Sequence, residues 1–319
     1  MVNYSCFQSP PQENRCHLVV AKNRITVENK SETKLLKYTA IISDVSEFVF
    51  IASTLIHEEI FSIFYHSEFI YVGVQARVLV FDPNSLQLTT EISLEEKSKF
   101  NIPYVNALHF EGNILCVGCS DASIQFFTLE ANGFNFKHTI VSPSSIIPNS
   151  FNYSEGTLYF ATLAGYIGQV LLIGFTIEYY PTNEDIDALA IYGDQMYIAV
   201  KDRIIVYKKQ PSYEISEQLI TKLSNERVVS LYVAFPFIYF LTDLGVCYRC
   251  DPTSATRGSF TVIKMDKEYT IDHQTTELMP QEENQFSVEC VGNVQVDNCY
   301  ACVAVSEYGK VNSAVAPLE

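Results

Sequence analysis

Three Cys-x-x-Cys pairs are the first place to look for chemistry: Cys116/Cys119, Cys247/Cys250 and Cys299/Cys302. Two such pairs make a four-cysteine zinc site when each sits on a knuckle turn that aims both sulfurs at one point. Here the pairs fall mostly within apolar runs of strand character, where residues i and i+3 face opposite sides of a sheet. They read as small buried hydrophobes rather than metal ligands. Six histidines (His17, His57, His66, His109, His138 and His273) are scattered, with no His-Glu-x-x-His or His-x-His pair. His57-Glu58-Glu59 reads as a solvated turn. No Gly-x-Ser-x-Gly elbow, Walker loop or dinucleotide fingerprint occurs. The expectation is no catalytic residue, no metal and no cofactor, with an enzyme assembled from separate loops as the alternative.

Charge narrows the partners. Lys plus Arg number 21 and Asp plus Glu 37, a net charge of −16. Such a surface is repelled by nucleic acid and by anionic membranes unless a basic patch intervenes. The densest basic group is Lys201, Arg203, Lys208 and Lys209, a strand with its flanking turns. The expected partners are therefore other proteins, including ones with a basic surface, and not nucleic acid, membrane or a small-molecule substrate. The first residues, MVNYSCFQSPPQENRC, show no basic-then-apolar leader pattern, and the apolar stretches are too short to cross a bilayer. Nine cysteines, an odd number, do not form the dense framework of a small disulfide scaffold. The sequons at Asn3, Asn29 and Asn152 then read as chance matches. The chain is expected to be intracellular, in cytoplasm or nucleus, with reduced thiols.

The elements that must position any site are strands. Apolar residues are 48% of the chain and charged ones 18%, enough to bury a large core. Short β-branched or aromatic runs recur at Phe69–Gln75, Leu115–Ser120, Leu158–Leu163, Met196–Lys201, Ile238–Asp243 and Tyr300–Ser306, most followed by a turn and a second strand. ARVLVFDPNS from Ala76 and GVCYRCDPTS from Gly245 both end an apolar strand on Asp-Pro, where the missing N–H stops pairing. Taking the first apolar position of each second strand gives Ile25, Val78, Ile124, Ile167, Ile204, Cys247 and Val311. Their mean separation of about 48 residues is the period of a β-propeller blade. Seven anchors predict seven four-stranded blades in one all-β domain over 1–319, with insertions near Ile41–Leu55 and Met265–Gln285. Ile215, Leu219 and Leu223 have helical spacing, but the period assigns them to an outer strand or its loop. Val2–Phe7 could supply the outer strand of the last blade, which would leave the first blade short of its innermost strand, so the sequence leaves open which blade is incomplete.

The segment Cys116–Thr128 (CVGCSDASIQFFT) resembles a WD-repeat blade: Gly118-Cys119-Ser120-Asp121 matches the Gly-Ser-x-Asp turn, and Phe127-Thr128 stands at the Trp-Asp position. Phe81-Asp82 and Tyr207-Lys208 stand there in two other blades. The position needs a large flat side chain to fill the gap between neighbouring blades, which Phe or Tyr also provides. The resemblance covers about five of the seven expected repeats. Glu28 and Ala314 occupy the position in the first and last. It implies a divergent WD-repeat-like propeller and, for function, a non-enzymatic scaffold or adaptor subunit of a larger complex. Gly245–Pro252 also resembles quinoprotein-like propellers, but zero Trp argues against that group. In that blade Val246, Tyr248 and Cys250 are expected inward and Arg249 outward, since a buried unpaired guanidinium is costly. Phosphoinositide-binding propellers carry Phe-Arg-Arg-Gly; Thr256-Arg257-Gly258 keeps one arginine of the two, and lipid recognition stays the less favoured alternative.

One segment stands apart. Met265–Gln285 (MDKEYTIDHQTTELMPQEENQ) has no clear strand and six acids against Lys267 alone. Long loops in compact domains are often functional. Its Asp272, Glu277, Glu282 and Glu283, with Tyr269, Ile271, Leu278 and Met279 as apolar anchors, are the expected partner-binding residues.

Overall fold

The computed structural model describes residues 3–8, 15–25, 31–41, 44–95, 102–148, 150–182, 184–201, 203–208, 215–219, 227–234, 237–242, 247–250, 262–265, 268–269, 288–296, 299–306 and 311–317. These form strands joined by turns, with no helix among the described residues. The first sheet holds β1 (Asn3–Gln8), β2 (Arg15–Ile25), β3 (Ser31–Ile41) and β4 (Asp44–Ile56). The second holds β5 (Ser62–His66), β6 (Phe69–Gly73), β7 (Arg77–Phe81) and β8 (Leu88–Ser93). The third holds β9 (Val105–Glu111), β10 (Ile114–Cys119), β11 (Ser123–Glu130) and β12 (Gly133–Val141). The fourth holds β13 (Asn152–Ser154), β14 (Thr157–Ala161), β15 (Tyr166–Leu171) and β16 (Thr176–Pro181). The fifth holds β17 (Ala188–Tyr192), β18 (Gln195–Val200), β19 (Arg203–Lys208) and β20 (Ile215–Leu219). The sixth holds β21 (Val228–Ala234), β22 (Phe237–Thr242), β23 (Cys247–Cys250) and β24 (Val262–Met265). The last sheet runs in the order β25 (Glu268–Tyr269), β28 (Val311–Pro317), β27 (Cys299–Ser306), β26 (Val288–Val296).

Every sheet is a four-stranded antiparallel unit, and the first six follow chain order from one side to the other. The leading strands adjoin from sheet to sheet: β5 lies beside β1 and β9, β17 beside β13 and β21, and β26 beside β21 and β1. The core lies between sheets. Phe81 joins Leu35 and Ile56 of the first sheet, Phe127 joins Tyr71 and Val80 of the second, and Tyr207 joins Tyr159 and Ile167 of the fourth. All three are at most 7% exposed, so the aromatic position does fill the gap towards the preceding sheet. The fourth sheet solves the same problem differently. Val170 stands at that position, and the ring comes instead from Phe160 on the paired strand, lying over Gly168. A Cβ on Gly168 would sit 2.1 Å from the Phe160 ring.

Three expectations are corrected, and the open question of where the N-terminal strand pairs is answered. Ile25 ends β2, and the third strand of its sheet is Ser31–Ile41, so this anchor is one strand early. The expected insertion at Ile41–Leu55 is largely β4, a strand of 13 residues. Val2–Phe7 does not complete the last sheet: Asn3–Gln8 pairs with β2, and the outer strand of the last sheet is Glu268–Tyr269, paired with Asn312 and Val311. Met265–Gln285 is therefore not free of strand, since it begins at the end of β24 and supplies β25. Non-local pairing of this kind leaves no periodic trace in sequence. Ile215 and Leu219 do lie in an outer strand, β20. Glu28, Val246, Leu223 and Thr256-Arg257-Gly258 lie outside the described residues, as do the side chains of Tyr248, Arg249 and Cys250.

Candidate functional site

The sheets have two ends. At one, the connectors that carry the chain from sheet to sheet meet the turns between second and third strands. At the other lie the hairpins between first and second strands and between third and fourth.

The connector end is held by main-chain latches. The connector before β9 gives Pro103 O to Ala76 N–H at 2.8 Å and Tyr104 O to Ser120 N–H at 2.9 Å. The connector before β13 takes Ile146 N–H to Cys119 O and Ile147 N–H to Ala161 O, at 3.3 and 3.0 Å. Asp187 N–H donates to Ala199 O and Val228 N–H to Lys201 O, both at 2.9 Å. Buried Gln125 adds a two-way bond, accepting from Glu95 N–H and donating to Glu95 O. Ser62 Oγ donates to Val105 O, Asn106 Nδ2 to Ile146 O and Asn152 Nδ2 to Leu189 O, each reaching the following unit. Asn152 also donates to Ser150 O, so this sequon amide is engaged within the fold. Close approach demands small residues: a Cβ on Gly73 would lie 2.2 Å from Ser62 Oγ and 2.5 Å from Val105.

Several charges at this end are paired. Glu58 accepts from Arg77, which also reaches Glu91 at 2.8 Å; Glu184 accepts from Arg203, and Asp187 from Arg227. Glu58/Arg77 and Glu184/Arg203 have the same separation of 19 residues, so they are equivalent in two repeats. His57 and Glu59 are exposed beside this pair, the solvated turn the sequence suggested. Outside the latches stand exposed apolar groups: Ile102 (46%), Tyr104 (41%) and Leu163 (59%), with the Phe61 ring 4.4 Å from Tyr104.

The hairpin end is aromatic. Phe64 on β5, His109 on β9 and Tyr153 on β13 form a ring ladder across three successive leading strands, with centroids 5.6 and 5.7 Å apart. His66 stacks on Phe110 at 4.3 Å, and Tyr71 and Phe134 pack on Phe110. Burial drives the His109 pKa down to about 4, with neighbouring His66 adding to the effect, and Nε2 has no partner in this structure. Burial lowers His66 too, opposed by the charge of Glu111. Burial pushes Tyr71 up to about 12. Beyond the rings, successive first hairpins carry Glu68, Glu111, Glu155 and Asp194, and exposed Phe69, Leu129, Leu171 and Ile173 stand on the same end.

Cys116 and Cys119 behave as core. Cys116 and Cys119 share β10, yet Cys116 packs between the third and fourth sheets and Cys119 between the second and third. Burial raises the Cys116 thiol far above its usual range, which suppresses thiolate chemistry. Cys247/Cys250 and Cys299/Cys302 also share single strands, β23 and β27. Of the expected partner-binding residues, Tyr269 lies in β25; Ile271, Asp272, Glu277, Leu278, Met279, Glu282 and Glu283 lie outside the described residues. The sequence reading missed the four hairpin acids. They recur 39 to 44 residues apart, a spacing visible once each is measured against its sheet's anchor.

No family model matches the chain, and no curated protein matches it. Solved structures do. The computationally designed Ika8 protein aligns with TM-score 0.61 at 11% identity, covering 98% of this chain and 95% of that one. A chain of the Mitotic Checkpoint Complex aligns with TM-score 0.66 at 11% identity, covering 94% and 86%. BamB from Moraxella catarrhalis aligns with TM-score 0.57 at 11% identity, covering 96% and 82%. Likeness at this identity speaks to the fold alone, and that fold is a β-propeller.

Proposed function

We propose that the chain is a single seven-bladed propeller, WD-repeat-like in its aromatic docking position, and that it serves as a non-enzymatic protein-interaction subunit of a larger intracellular assembly. The juxtaposition of β1 with both β5 and β26 supports a ring in which each sheet is one blade. The observation that carries the functional reading is the set of large apolar side chains held out from a latched frame: Ile102, Tyr104 and Leu163 at one end, Leu171 and Ile173 at the other. Isolated exposed apolar residues are ordinary, but groups at both ends of a rigid scaffold mark contact surfaces. An enzyme site would set a shifted acid or base against a nucleophile. The most shifted histidine, His109, has the rings of Phe64 and Tyr153 as its neighbours, an aromatic setting that favours binding over turnover. Buried thiols at Cys116 and Cys119 fit a reducing compartment.

The deciding measurement is the native size of the protein in extracts of its own cells, followed by cross-linking and stoichiometry. It should migrate well above its 36.1 kDa mass with partners in fixed ratio. Migration as a free monomer under the same conditions overturns the reading.

A further inference from the structure

The hairpin between β15 and β16 is built from the wrong materials for a surface turn. Leu171-Leu172-Ile173-Gly174-Phe175 contains no polar side chain, although exposed turns favour Asn, Asp, Ser, Gly and Pro. Phe175 is held at φ +54°, left-handed backbone that a bulky aromatic residue rarely adopts, and its ring lies 4.7 Å from Phe126 and 5.1 Å from His138. That anchor leaves Ile173 projecting, 83% exposed, with Leu171 beside it at 44%. Residues of this kind at a fixed, protruding position are the anchors that dominate protein contacts.

The surroundings specify the partner's charge. The first hairpins of the second to fifth sheets each present one acid, Glu68, Glu111, Glu155 and Asp194, and none of their described turn residues is Lys or Arg. Glu68 at φ 67° and Glu155 at φ 51° occupy left-handed positions where Asn or Gly is less strained. We propose that this hairpin end docks a positively charged polypeptide segment of a partner protein, whose apolar side chain packs against Ile173 and Leu171 while its Lys or Arg side chains face the four acids. The proposal rests on the protein-interaction reading and adds the chemistry of one partner and the end it uses. Complementary charge steers the encounter, and the apolar contact slows its dissociation.

The test uses the full chain and a labelled synthetic peptide of alternating Lys and Leu, with Lys–Ser and Glu–Leu versions as comparisons, read by fluorescence anisotropy. The Lys–Leu peptide should bind best and the Glu–Leu peptide not at all. A triple variant Glu68→Lys, Glu111→Lys, Glu155→Lys should weaken it about tenfold or more, and Ile173→Asp about tenfold. The control Glu59→Lys, Glu95→Lys, Asp185→Lys makes the same change in net charge at the connector end and should weaken it by less than about twofold. If the hairpin triple does not fold, the corresponding Gln variants take its place. Equal weakening by both triples means net charge alone attracts the peptide, and overturns the proposal. Failure of the Lys–Leu peptide to bind also overturns it, while leaving the protein-interaction reading to the native-size measurement.

Discussion

Glu58, Glu184 and Asp187 at the connector end each hold an arginine, whereas Glu68, Glu111, Glu155 and Asp194 at the hairpin end have no Lys or Arg in their turns. The difference follows from what each end must do. A connector joins two sheets that share no hydrogen-bond ladder, so its position has to be fixed by latches such as Ile147 to Ala161 and by side-chain clamps. A hairpin is already fixed by the register of its two strands, as in Ser154↔Thr157 across β13 and β14. An acid placed there is released from structural duty. The buried polar groups divide less cleanly: Ser62, Asn106, Gln125 and Asn152 are all bonded at or towards connectors, but Ser142 Oγ at that end is unbonded, as is His109 Nε2 among the hairpin-end rings.

The contrast assumes that both ends hang on one inter-sheet core, and the largest expected effect tests that assumption. Phe127→Ala should cost about 3–5 kcal/mol, as for other buried aromatic truncations. Chemical denaturation showing a loss below about 1 kcal/mol would mean that Phe127 does not fill the gap between the second and third sheets.

Acid comes next, and it should act at the hairpin end. His109 is neutral in the fold down to pH about 4, while the unfolded chain binds that proton below about 6.5. Between these values the unfolded state carries more protons, so stability is full above pH 6.5 and falls as pH drops towards 4. The total is roughly 3 kcal/mol for this one group. His66 adds in the same direction. His109→Phe should flatten the pH dependence of unfolding in this window; an unchanged slope would assign the acid sensitivity to other groups.

Gly73→Ala probes the connector end by crowding. Its Cβ would meet Ser62 Oγ and Val105, and neither side can retreat without breaking the Ser62 to Val105 bond. A loss of about 1–3 kcal/mol is expected, in the range of other overpacked sites. Gly156→Ala makes the useful comparison, since nothing lies near its Cβ and only its φ of 84° opposes the change. Equal losses would show that backbone strain rather than close approach governs both.

These features differ in how legible they were. Phe81, Phe127 and Tyr207 could be assigned from sequence because one position per repeat demands one shape. Gly118-Cys119-Ser120-Asp121 was equally readable: Asp121 accepts from the Ser123 N–H and hydroxyl to close the turn. The fourth sheet was harder, since its ring moved from the third strand to Phe160 and a search along one strand finds only Val170. Ile25 misled because β2 and β3 are both 11 residues long and both mix apolar with polar residues, so either could hold the anchor. The outer strand Glu268–Tyr269 has only two residues, too few to show alternation. The hairpin acids form no linear motif at all; the fold alone brings four residues from separate repeats to one end.

The smallest effect is a difference in sign, and it is the sharpest test of the contrast between the two ends. Glu184→Gln removes the carboxylate that Arg203 donates to, so it should lower stability slightly, by about 0.5 kcal/mol, because the pair is partly solvated. Glu68→Gln, Glu111→Gln and Glu155→Gln remove charge from a protein of net charge −16, with no cation in those turns to lose. Each should leave the melting temperature unchanged or slightly raised at low salt, because like-charge repulsion is relieved. Both effects should fade together in about 1 M salt, where the screening length is about 3 Å. If the hairpin substitutions instead destabilise at low salt, those acids have stabilising partners, and the charge contrast between the ends fails. If they are neutral or stabilising for the free protein while weakening capture of the Lys–Leu peptide, the acids serve a partner rather than the fold.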